Sequence, residues 1–149
     1  MRIAIIGAGL CGLATAFELA SSGNEVFIFD KGEIGSGASG VAAGLLHSYA
    51  GAHSKKNRNA DNALAATKKL IEVAEAASGV KVHSDTGLLR LAISEDQRRD
   101  FKMCAESSDD VSWIDHPALE TGLSALSPNP GIFIRSAMIV DCLPYLHGL

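Results

Sequence analysis

Three cysteines, Cys11, Cys104 and Cys142, are too few and too widely spaced for a disulfide framework, and no C-x-x-C pair marks a zinc knuckle. A reducing, cytoplasmic compartment is expected. Basic excess is missing too, because 13 Lys and Arg stand against 17 Asp and Glu for a formal charge of −4. That balance supplies no electrostatic footprint for a phosphate backbone or an anionic surface, so nucleic acid is not an expected partner. No stretch approaches the roughly 18 uninterrupted apolar residues of a membrane span. The N-terminus comes closest, with Met1-Arg2 before an apolar run and Ala14-Thr15-Ala16 imitating a cleavage site. Gly7, Gly9 and Gly12 interrupt that run, each at about 1 kcal/mol in a helix interior, and Glu18 follows, so a signal peptide is not expected.

What is present is an ordinary globular composition: 149 residues, 47% hydrophobic, 20% charged, mean hydropathy +0.17. This is about one domain's worth of chain. Ile3 to Ile6 and Val26 to Phe29 are short apolar runs, and between them Leu10, Leu13, Ala14, Phe17 and Ala20 recur at helical spacing before Gly23. The spacing predicts strand, turn, helix and strand. A second helix is predicted from about Ala60 to Ala77, with Gly79 after it. Val80 to His83 and Leu88 to Ile93, separated by Asp85-Thr86-Gly87, predict an antiparallel pair opening a β-rich layer. Ser94 and Gln97 form a capping box for a helix through Phe101 and Cys104. Ser112 to Ile114, Gly131 to Arg135 and Met138 to Val140 are further strand candidates, Pro117 a helix start, and Asp141 with Pro144 the opening of a last helix. A parallel sheet must be buried on both faces, yet only two strands for one are found, so an incomplete polypeptide is expected.

Gly7-Ala8-Gly9-Leu10-Cys11-Gly12 is a G-x-G-x-x-G placed after an apolar strand and at the start of a helix, with Asp30 ending the next strand. Gly7 permits the sharp turn, Gly9 lets backbone approach a pyrophosphate, and Gly12 lets helix and strand pack closely. The helix N-terminus offers free N–H groups to negative charge, and Asp30 is the acceptor for ribose hydroxyls. The Gly, Ala and Ser-rich stretch from Gly32 to Gly44 reads as bare backbone for a ligand or as a linker.

The stretch past Asp30, with Ala38-Ser39 and Ala43-Gly44-Leu45, resembles the FAD-dependent amine oxidoreductases of the D-amino-acid oxidase and glycine oxidase family. The likeness extends to Gly87-Leu88-Leu89-Arg90-Leu91-Ala92, Val111-Ser112-Trp113, Gly131-Ile132-Phe133 and Val140-Asp141-Cys142-Leu143-Pro144-Tyr145-Leu146. The resemblance implies an α/β fold, a Rossmann-like FAD-binding βαβ unit with an inserted β-rich substrate layer, ending part-way through the family's length. It implies FAD as cofactor, contacted by Gly7, Ala8, Gly9, Leu10, Cys11 and Gly12, with Asp30 and Lys31 at the ribose. Ala38, Ser39, Gly40, Ala43, Gly44 and Leu45 would lie toward the pyrophosphate and flavin. The implied reaction oxidises the C–N bond of a small amine or amino acid by hydride transfer to flavin. The expected division is 1–79 as FAD-binding part, 80–140 as substrate part and 141–149 as the start of a further helix.

Two rivals stand beside this reading. A nicotinamide-dependent dehydrogenase accounts for G-x-G-x-x-G and Asp30 but not for the 38–45 loop. A non-catalytic fragment, or a subunit paired with a complementary chain or with itself, accounts for the apparent truncation. No catalytic residue is assigned: His47, Tyr49 and His53 follow the loop and are read as substrate-facing or as ordinary loop residues. The His pair has no third ligand at metal spacing, and Lys55, Lys56 and Arg58 read as a solvated charge run. Arg90 and Arg135 would meet a carboxylate or face solvent.

Overall fold

A computed structural model describes residues 1–117 and 129–149, and in it the apolar runs at the N-terminus pair as parallel strands. Strand β1 (Arg2–Ile6) lies beside β2 (Glu25–Phe29), with Ala4 opposite Phe27 and Ile6 opposite Phe29. Helix α1 (Leu10–Ser21) crosses between them, and Gly23, at φ +80°, carries the chain out of it as expected of a left-handed helix stop. The burial expected of a parallel sheet is not found: no residue of β1 or β2 is buried, because α1 covers one face of two strands and nothing described covers the other.

The short strands β3 (Leu45–Leu46), β4 (Tyr49–Ala50) and β5 (Lys55–Lys56) precede helix α2 (Ala60–Ser78). Then come β6 (His83–Ser84), β7 (Leu88–Leu91), α3 (Glu95–Glu106), β8 (Val111–Ile114), β9 (Gly131–Ile134), β10 (Met138–Val140) and α4 (Cys142–Gly148). The helix beginning at Pro117 was expected to run into residues outside those described.

The predicted antiparallel pair on either side of Asp85-Thr86-Gly87 does not form. β6 pairs with β10, whereas β7 pairs with β9, in a sheet of order β7-β9-β8. Gly87, at φ +66° with its N–H on the Ala137 carbonyl, turns the chain away from the hairpin path.

Contacts divide the chain into two units. One comprises Met1–Leu45, Ala65–Ser84 and Ile139–Leu149, and the other Leu46–Leu64 and Asp85–Met138. In the first, Leu13, Ile71, Ala74, Val82, Tyr145 and Leu146 are buried. In the second, Phe101 of α3 packs with Val111, Ile132, Ile134, Tyr49, Ala92 and Ala137. The alternation of β7, β8 and β9 supplies that face: Ile132 and Ile134 point to α3, and Phe133 between them points away.

Candidate cofactor site

The turn after β1 is built from glycine for two reasons. Gly7 sits at φ +108° and donates its N–H to the Phe29 carbonyl at 2.7 Å, closing the turn onto the end of β2. Gly12 packs so closely that a Cβ there would collide with the Gly7 carbonyl oxygen. Gly9 is the N-cap of α1 and gives no side-chain cap, and the first turn of the helix carries no acid. The positive end of α1 is therefore not neutralised by its own sequence, a donor set that suits a diphosphate.

Asp30 stands against this turn. Its Oδ2 accepts from Ala8 N at 2.7 Å and its Oδ1 from Gly32 N at 3.0 Å. These backbone donors, Ala8 first, hold the carboxyl below its ordinary range against a smaller opposing effect of burial, with Lys31 adding to them. Asp30 stays ionised and, with two accepted bonds, retains lone pairs for hydroxyl donors.

Ser39 reaches the same place from the glycine-rich loop. Leu10 N donates to its Oγ at 3.2 Å, and a Cβ on Gly9 would lie 2.7 Å from that oxygen. Gly7 to Gly12, Asp30 and Ser39 are thus joined by contacts. Cys11 is exposed on the first turn of α1. Gly40 is held by its N–H on the Gly37 carbonyl, while Ala38, Ala43 and Leu45 are exposed. Gly44, at φ +67°, is backed against Val140, whose N–H donates to the Gly44 carbonyl at 2.8 Å. Ala43 to Leu45 are therefore anchored to β10.

In the second unit, His47 Nδ1 accepts from Tyr49 N at 3.2 Å, so the neutral ring carries its proton on Nε2. Burial and then the Arg90 charge lower its pKa. Arg90 meets neither a carboxylate nor bulk water: it donates to the carbonyls of Tyr49 and Gly51 and to Ser54 Oγ, and lies over the Phe101 ring. Sequence reasoning missed this role because the acceptors lie on a turn some 40 residues upstream. Arg135 is bound to Ser112 Oγ.

Residues 2–149 match the family described as FAD dependent oxidoreductase. The chain belongs to that family. This FAD dependent oxidoreductase chain is 31% identical over 143 residues to glycine oxidase of Bacillus licheniformis, covering 91% of this chain and 36% of the relative. It is 48% identical over 46 residues to D-proline dehydrogenase of Pyrobaculum islandicum, covering 31% of this chain and 12% of that protein. The crystal structure of glycine oxidase from Geobacillus kaustophilus superposes with a TM-score of 0.79 at 26% identity, covering 99% of this chain and 43% of that one. L-amino acid deaminase from Proteus myxofaciens shares the fold, with a TM-score of 0.73 at 22% identity, over 97% of this chain and 35% of that one. The chain thus spans well under half the length of these relatives. Among the described residues no helix is long and apolar enough to cross a membrane.

Proposed function

We propose that this chain supplies the FAD-holding part, and some of the substrate-side layer, of an oxidoreductase that oxidises the C–N bond of a small amine or amino acid. The observation that carries the reading is the α1 N-terminus, uncapped by Gly9 and free of acids, with the Asp30 carboxylate fixed beside it. Backbone N–H groups of Ala8, Gly9, Leu10 and Cys11 would take the diphosphate, displacing Ser39 Oγ from Leu10 N or sharing that donor with it. Asp30 would accept from the ribose hydroxyls with Lys31 alongside. Ala38, Ser39, Gly40, Ala43, Gly44 and Leu45 offer backbone donors with little side chain to hold a ring away. Bound there, FAD would supply the acceptor for a hydride from the carbon beside a neutral amine.

The linear parts 1–79 and 80–140 serve the cofactor and the substrate in this reading, with 141–149 returning to the first. Glycine oxidase and D-proline dehydrogenase name the substrate chemistry to try first, a small amine bearing a carboxylate. Titration of the 149-residue chain with FAD, FMN and NAD, read by flavin or nicotinamide fluorescence, tests the cofactor assignment. Saturable FAD binding, weakened about tenfold or more in Asp30→Ala, is expected. Binding of NAD with none of FAD would overturn it. Flavin absorbance bleached by glycine or D-proline in the protein joined to the remaining length of its relatives would test the reaction.

A further inference from the structure

The second unit contains a cavity that the cofactor reading does not use. It has a volume of about 380 Å³ and lies between the β4–β5 hairpin and α3, lined by Tyr49, His53, Lys55, Asp100, Met103 and Cys104 among others. Its wall is fixed rather than slack. Arg90 holds the turn at the Tyr49 and Gly51 carbonyls and at Ser54 Oγ, Gln97 Nε2 donates to the Ala52 carbonyl at 3.1 Å, and the Cys104 thiol donates to the Ser54 carbonyl at 3.4 Å. Ser54 is 1% exposed and sits at φ +50°, a conformation that these contacts sustain.

The charges around the cavity do not cancel. His53 Nδ1 pairs with Asp100 Oδ2 at 2.7 Å, and Lys56 Nζ pairs with Asp61 at 2.9 Å. Lys55 has no counter-ion among the described residues, and the guanidinium of Arg90 behind the wall is met only by neutral oxygens. Asp100 is the one carboxylate of the lining and is already engaged by His53 and Arg99. Asp110, nearby, accepts from Ser136 N at 2.8 Å and Ser136 Oγ at 2.6 Å. The opposite wall is apolar: the Tyr49 ring, whose hydroxyl is held by Ser108 Oγ at 2.7 Å, with Met103 and the Cys104 sulfur. A positive rim over an apolar wall is the complement of an amphipathic anion.

We propose that this cavity binds a small organic carboxylate, its head group at Lys55 and His53 and its apolar body between Tyr49, Met103 and Cys104. The FAD assignment plays no part in the argument. Lys55 and Met103 are both exposed, so Lys55→Gln and Met103→Asp leave the core intact. The test is a protein-observed NMR titration of the 149-residue chain with phenylacetate and with its neutral isostere phenylacetamide. Phenylacetate is expected to give saturable shifts at residues 49–56 and 100–108, with the amide weaker by about tenfold and Lys55→Gln costing phenylacetate a similar factor. Met103→Asp is expected to weaken both compounds. Absence of saturable shifts, equal affinity for acid and amide, an unchanged affinity in Lys55→Gln, or shifts confined to other residues would each overturn the proposal.

Discussion

Gly12 and His47 show how single residues set opposite kinds of constraint. At Gly12 the constraint is steric, because the neighbouring atom is a backbone oxygen that cannot rotate aside. Gly12→Ala is expected to destabilise the chain by about 1–3 kcal/mol, the usual range for overpacking, and to lower the urea midpoint accordingly. At His47 the constraint is electrostatic. Burial and Arg90 keep the folded ring neutral below the ordinary pKa of 6.5, while the unfolded ring takes its proton there. Stability is therefore full above about pH 6.5 and falls as the pH drops below it, until the folded ring is also protonated. Urea midpoints measured from pH 7.5 to 5 are expected to fall less steeply in His47→Gln. Gly12 was legible in the sequence because the motif implies close packing, whereas His47 was read only as a loop residue, since neither its Tyr49 contact nor Arg90 has a local signal.

Whole elements were legible where their signals were local. Helix α3 begins where Ser94 and Gln97 predicted: Gln97 N donates to Ser94 Oγ at 3.2 Å, and Gln97 Oε1 accepts from Ile93 N at 2.9 Å. Ser94→Ala removes the cap and is expected to cost about 1 kcal/mol, visible as a lower Tm, while Ser94→Asp is expected to retain most of the stability. The apolar stripe placed α2 from Ala60 to Ala77, and the helix runs Ala60–Ser78. Strand pairing was less legible, because side-chain alternation marks a strand without naming its partner. β7 was expected beside the strand just before it and found its partner in β9, more than 40 residues on. The two-residue strands β3, β4 and β5 carry no alternation long enough to read.

At the scale of the molecule, the face of β1 and β2 opposite α1 is the open question for solution behaviour. The pleat puts Ala4, Ile6, Phe27 and Phe29 on that face, with Ile6 90% and Phe29 56% exposed. Contiguous exposed apolar surface on parallel strands drives association. The isolated 149-residue chain is expected to show a sedimentation coefficient that rises with concentration, and the double variant Ile6→Lys, Phe29→Lys to suppress the rise. A concentration-independent monomer in the parent chain would contradict this. The interleaving of the two units also has a consequence in time. The second unit lies between Leu46 and Met138, so all of it leaves the ribosome before α4, which the first unit needs. At typical synthesis speeds, on the order of ten seconds separate the glycine turn from the helix that completes its unit. During that interval β1 and β2 are nascent apolar strands awaiting their remaining contacts, a substrate for ribosome-associated chaperones.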